Sequence, residues 1–158
     1  MAVPGTHQPP DLFHLLTRAE RLLGRRLAVI LNAEGYSLDA WRVITLLADG
    51  TGHHMTEVAE HAFLPPGTLT KLMDQLVDDG LVYRRVDDID RRRIRAYLTP
   101  RGRRLHRQLS RQVEAGVPRL LAASAEQDLL RDLLARLVDS LAHPPAARSE
   151  SAAVDGRI

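Results

Sequence analysis

The residues best equipped for chemistry in this chain are arginines. Ten of them face three aspartates between Arg84 and Arg107, although all 158 residues together carry a net charge of only +2. The basic character therefore sits in one segment, LVYRRVDDIDRRRIRAYLTPRG, Leu81 to Gly102. Its densest part is Arg91, Arg92 and Arg93, which follow Asp90 directly. Clustered guanidinium groups suit a polyanion, and the narrow minor groove of DNA, where negative potential is greatest, is a good match for them. Asp90 is placed to orient one of these arginines through a bidentate pair.

A second constellation lies about twenty residues upstream. Gly67 allows close backbone approach, Thr68 and Thr70 can reach phosphates or a thymine methyl, and Lys71 can reach a phosphate or the acceptor edge of guanine. Pro65 and Pro66 precede this run, so the free amides at the start of a helix here favour a phosphate. Together the two constellations describe a protein that grips duplex DNA through both grooves.

Other chemistry is poorly served. His54, Glu57 and His61 share one helical face at i, i+3 and i+7, a spacing a borderline metal could use, but a polar surface is the simpler account. The chain has no cysteine, which removes disulfides, thiolate metal sites and thiol sensing. A hydrolase would need a nucleophile in a recognisable context such as G-x-S-x-G, and none is present. The expectation is a non-enzymatic protein with neither metal nor cofactor. Secretory and membrane segments are also missing: the start, MAVPGTHQPP, is polar and Pro-rich, and no uninterrupted apolar run reaches about eighteen residues. A cytoplasmic protein without membrane attachment is expected.

The elements that must position these residues can be read from periodicity. Residues 1–10 have no period and form a flexible arm. Apolar residues from Leu12 to Leu31 recur at three- and four-residue spacing, predicting one long amphipathic helix from Asp11 to about Glu34, ended by Gly35. Ser37 caps a second helix, with Leu38, Trp41, Ile44 and Leu47 as its inward stripe up to Asp49. DGTGHH reads as a turn, Met55 to Ala62 as a short helix, and Leu69 to Val77 as another, stopped by Gly80. Leu81–Val86 and Ile94–Thr99 form a β-hairpin with a charged tip. Thr99 then caps a helix that begins at Pro100 and breaks near Pro118, and Ser124 with Gln127 opens a last leucine-rich helix as a capping box. The tail after His143 has no period.

Two short helices, a tight turn and a hairpin constitute the order of a winged helix-turn-helix. The fold class expected is mainly α with a small β-hairpin wing. Residues 37–99 form the DNA-binding domain, 11–36 and 100–143 supply dimerisation helices, and 144–158 form a disordered tail. Because the terminal helices carry apolar stripes that so small a unit cannot cover alone, a homodimer is expected.

The stretch from His54 to Gly102 also resembles the signature region of the MarR family of bacterial transcription regulators. The resemblance is carried by Met55-Thr56-Glu57-Val58-Ala59, Thr70-Lys71-Leu72, Gly80-Leu81-Val82, Asp90-Arg91-Arg92 and Leu98-Thr99-Pro100-Arg101-Gly102. It implies a winged-helix homodimer on a pseudo-palindromic operator in double-stranded DNA, usually a repressor. It further implies that Arg92 enters the minor groove with Asp90 as its positioning partner, and that Gly67, Thr68, Thr70 and Lys71 belong to the recognition helix. Pro65 departs from the pattern, since many members carry serine there. Relatives often release DNA on binding a small aromatic effector, which the resemblance places near Trp41, with His14 and Arg18 as first-helix neighbours. The alternative is a ligand-independent or architectural winged-helix protein.

Overall fold

The computed structural model describes residues 11–116 and 124–143. These fall into two units, one running through the fifth helix and the other holding the sixth. The expected arm (1–10), the expected break at Pro118 and the expected tail (144–158) lie outside the described residues.

In the first unit α1 spans Leu12–Ala33, α2 Leu38–Leu46, β1 His53–His54, α3 Met55–Ala62, α4 Pro66–Asp78, β2 Val82–Val86, β3 Ile94–Leu98 and α5 Pro100–Gly116. The second unit is α6, Ser124–Ala142. The predicted caps hold the first unit's helices in place. Ser37 Oγ accepts from the Ala40 amide at 3.1 Å, and Thr99 Oγ1 accepts from the Gly102 amide at 3.0 Å. Each satisfies one of the donors that a helix start leaves without a partner. The Ser124 side chain lies outside what the structure describes.

Two expectations need correction. The second helix ends at Leu46 and tightens into a 3-10 turn, Leu47–Asp49, which Gly50 closes at φ +78°. Its buried face is Ala40, Val43, Ile44 and Leu47, so Leu38 and Trp41 stand at the margin of the core instead of inside it. The stretch expected to be only a turn also contains β1, whose His53 and His54 pair antiparallel with Ala96 and Arg95 of β3. The wing is therefore a three-stranded sheet in the order β1-β3-β2.

The core lies where α2, α3 and α4 meet the inner face of this sheet. Val58, Leu69, Met73, Leu76, Val82 and Leu98 are all buried there. Leucine, valine and methionine fill it because the chain has few aromatics to offer, 4% in all. Phe63 turns the chain from α3 into α4 in the left-handed region, φ +55°, a place glycine commonly takes. On the far side α1 lies against α5. Glu34, at the end of α1, accepts from Gln108 at 3.0 Å and Gln112 at 2.7 Å, while Arg26 donates to the Gly116 carbonyl at 2.8 Å.

The sheet joins α5 with almost no clearance. A Cβ at Gly102 would lie 2.1 Å from the Leu81 carbonyl oxygen, which itself accepts from the Thr99 amide at 2.9 Å. Glycine at this position lets the first turn of α5 lock the base of the wing to the end of α4.

Candidate nucleic-acid interface

The first turn of α4 is built to leave donors free. Pro65 occupies the position before the helix with no side-chain cap, and Pro66 is its first residue. Proline has no amide hydrogen to satisfy, so the next amides, those of Gly67 and Thr68, are the unpaired ones. The Leu69 amide already donates to the Pro65 carbonyl at 3.0 Å. Gly67, Thr68, Thr70 and Lys71 are all exposed on this turn. Nothing lies within 4 Å of where a Gly67 Cβ would be. Thr70 Oγ1 donates to the Pro66 carbonyl at 2.9 Å, which uses its hydrogen and leaves its lone pairs and methyl outward. Absence of a capping serine at Pro65 thus leaves the amides of this turn exposed.

The wing sorts its arginines into two groups. Those on the strands are committed: Arg84 to Asp74 of α4 at 2.7 Å, Arg85 to both oxygens of Asp88 at 2.9 Å, and Arg95 to Asp87. Arg91, Arg92 and Arg93 at the tip are exposed and have no hydrogen-bonded or ionic partner for their side chains among the described residues. The two surface pairs, Arg84–Asp74 and Arg85–Asp88, contribute little to stability. Their effect here is to cancel charge along the strands, so that the free positive charge is concentrated at the tip.

Asp90 does not act as expected. Its Oδ1 accepts from the Arg92 backbone amide at 3.1 Å, and its carbonyl accepts from the Arg93 amide at 2.9 Å. It folds the tip as an Asx turn and leaves the Arg92 guanidinium free. The bidentate grip on an arginine side chain is not formed.

Asp87 is the residue that sequence reasoning missed. It is buried, and its Oδ1 accepts from the Ile89 amide at 2.7 Å and the Asp90 amide at 3.1 Å, while Oδ2 accepts from Arg95 Nε. His54 Nε2 lies 3.4 Å from the same oxygen, and Arg95 also donates to the Gly52 carbonyl at 3.3 Å. The Arg95 guanidinium, followed by the two backbone amides, holds the Asp87 carboxyl well below the usual carboxylate range despite burial. One carboxylate thereby ties the wing tip, the sheet and the start of α3 together. In sequence it is one of three aspartates in a polar run, and no signal distinguishes it from Asp88 or Asp90.

The remaining candidates separate. His54 ends β1 and precedes α3, and its backbone amide donates to Glu57 Oε2 at 2.9 Å. That bond holds Glu57 below the usual carboxylate range. His54 is buried toward Asp87 while His61 is exposed, so the three do not converge, and no metal-holding cluster occurs among the described residues. Trp41 stacks on His106 of α5, ring centroids 5.4 Å apart and planes 14° from parallel. Burial, and then Arg107, lowers the His106 pKa. His14 and Arg18 instead line a shallow groove along α1 with Arg21 and Arg25. Trp41 is not part of that groove. No helix among the described residues is long and apolar enough to cross a membrane.

Known proteins share this arrangement. The MarR family model matches residues 34–93, from the end of α1 through the wing tip. An HTH-type transcriptional repressor of Mycobacterium tuberculosis is 30% identical over 118 residues, spanning 75% of this chain and 85% of that protein. The HTH-type transcriptional regulator FarR of Neisseria gonorrhoeae is 29% identical over 124 residues, 77% of this chain and 85% of FarR. Among solved structures, NadR in complex with 4-hydroxyphenylacetate superposes with a TM-score of 0.71 at 27% identity, over 87% of this chain and 97% of NadR. A MarR family protein of Mycobacterium tuberculosis in complex with p-aminosalicylic acid gives 0.67 at 27% identity, over 82% and 99%. With the family model matching through the wing, a relative 30% identical over three quarters of the chain and the fold shared over most of its length, the chain belongs to the MarR family of transcriptional regulators.

Proposed function

We propose that this regulator is a homodimeric repressor whose α4 enters the major groove of a pseudo-palindromic operator while the wing tip enters the adjacent minor groove. The observation that carries this reading is the division of the wing arginines. Those on the strands are paired with aspartates, and those at the tip are free beside a helix start with unpaired amides. Gly67 and Thr68 bind a phosphate through their amides, Lys71 and Thr70 reach the groove, and Arg92 reads the minor groove. Arg91 and Arg93 contact phosphates on either side, and Asp90 shapes the turn that presents them. Residues 37–99 serve as the DNA-binding domain.

Dimerisation rests on apolar surface that a single chain leaves uncovered. Leu12, Phe13, Leu15 and Leu23 of α1 are exposed, as are Leu133, Val138 and Leu141 of α6. A second copy covering them through the 11–36 and 100–143 helices is the economical solution.

Release by a small aromatic acid is the regulatory reading. Its support is the half-buried Trp41 on His106, a flat surface at the edge of the DNA-binding domain, together with the aromatic acids that NadR and the mycobacterial protein hold in their crystals. His14 and Arg18 lie in the separate groove along α1, and this reading does not rest on them. The test is a gel shift with DNA flanking the gene, titrated with 4-hydroxyphenylacetate and salicylate. A shift that either acid reverses supports an effector-controlled repressor. A shift that no acid affects favours the ligand-independent alternative, and no shift removes the DNA-binding reading.

A further inference from the structure

One side chain at the wing tip is explained neither by the fold nor by its charge. Ile89 is 95% exposed, more than any other large apolar residue among those described. It lies between Asp88 and Asp90, in a turn where asparagine, glycine, serine and aspartate are the usual occupants. A β-branched apolar residue gains nothing there from local conformation, and at that exposure it gains nothing from the core.

Its mount, by contrast, is rigid. The Ile89 amide donates to Asp87 Oδ1 at 2.7 Å, the Asp90 amide shares that oxygen at 3.1 Å, and Asp87 is itself held by Arg95. Across the loop the Asp87 amide donates to the Arg93 carbonyl at 2.9 Å, and the Arg93 amide to the Asp90 carbonyl at the same distance. The isoleucine is thus fixed outward, a few residues from three arginines whose side chains have no partner among the described residues.

The surface to which such a tip is complementary is anionic at its rims and apolar between them. A DNA minor groove has that character, with phosphates at the edges and deoxyribose along the walls. Its floor is open at A·T pairs, whereas the 2-amino group of guanine projects into it at G·C pairs. An apolar side chain pressed against that donor would leave it without a partner. We propose that Ile89 is the apolar contact of the wing, packing against the sugar walls and base edges beside Arg92 and imposing a preference for A·T pairs at that point. The inference rests on the DNA-binding reading above and adds to it a residue that selects sequence without a hydrogen bond.

The test uses the full chain and duplexes that the wild-type protein selects from a randomised library. Ile89→Thr keeps the β-branch and Ile89→Asn suits the turn, so equal melting temperatures for all three proteins show an intact wing. Both variants are expected to bind about tenfold more weakly, because apolar contact area is lost. Their salt dependence should stay unchanged, since no charge is removed, in contrast to Arg92→Ala. Placing G·C pairs where the wing contacts the flank should weaken the wild type several-fold and the variants hardly at all, and inosine in place of guanine should restore the wild type. Wild-type affinity and flank preference in both variants, alongside a weakened Arg92→Ala, would overturn the inference and leave the DNA-binding reading standing. If the wild type selects no duplex, that reading fails and the inference fails with it.

Discussion

Replacing Gly67 with alanine separates what the fold needs from what DNA binding needs. No atom lies within 4 Å of the place an added Cβ would take, and the Gly67 φ is not left-handed, so alanine fits the free protein without strain. In the first turn of a 13-residue helix it should stabilise by roughly half of the interior glycine-to-alanine difference, about 0.5 kcal/mol. For a chain of this size that raises the melting temperature by about 1–2 °C. Bound to DNA, the same methyl would occupy the space through which a phosphate oxygen reaches the Gly67 and Thr68 amides. Losing one hydrogen bond to a charged acceptor costs about 1.5–3 kcal/mol, roughly ten- to a hundredfold in affinity. Differential scanning fluorimetry and fluorescence anisotropy with a selected duplex measure the two effects on one sample. Gly67→Ala with wild-type affinity would refute the claim that the start of α4 lies against the phosphate backbone.

Three further outcomes follow from the geometry. Gly102→Ala should behave in the opposite way, losing about 2–3 kcal/mol in urea unfolding, because its Cβ would meet the Leu81 carbonyl at the base of the wing. Asp87 and Glu57 have carboxyls held below their ordinary values by Arg95 and by the His54 amide respectively. Their contribution to stability is complete above about pH 5 and is lost as pH falls below that toward their folded-state values; Asp87→Asn should be less stable at neutral pH and show a flatter acid limb in urea midpoints taken from pH 7 to pH 3. Leu130→Glu combined with Leu134→Glu, two exposed positions one turn apart on α6, should leave the helical circular dichroism unchanged and convert a dimer to a monomer in sedimentation velocity. A dimer that survives both carboxylates would place the interface elsewhere.

Elements with a strong period or a definite cap were legible from the residues. The Leu12-to-Leu31 repeat, the Ser37 and Thr99 caps and the Met55–Ala62 helix all appear where spacing and capping chemistry put them. Strand β1 was not legible, because two histidines after a glycine turn have no period to display and their pairing depends on β3, some forty residues away. Of the α2 stripe, Ile44 and Leu47 are buried but Leu38 and Trp41 are not, for a related reason: period identifies a face, but the smaller Ala40 and Val43 lie nearer its centre. At the candidate site, the chemistry of the Arg91–Arg93 tip and the Gly67–Lys71 turn could be read directly. What could not be read was which aspartate does what. Asp87, Asp88 and Asp90 are interchangeable by type, and only the folded loop makes one a buried anchor, one an ion-pair partner and one a turn former.

The central claim is that a free wing arginine and an uncapped helix start together hold duplex DNA. It is tested most directly by the salt dependence of binding for the wild type and Arg92→Ala on the same selected duplex. Wild-type affinity should fall steeply with salt, and the variant should bind at least several-fold more weakly with a slope shallower by about one, as expected when one cation that displaces a counterion from the DNA is lost. Identical affinity and slope for the two proteins, or wild-type binding indifferent to salt, would contradict it.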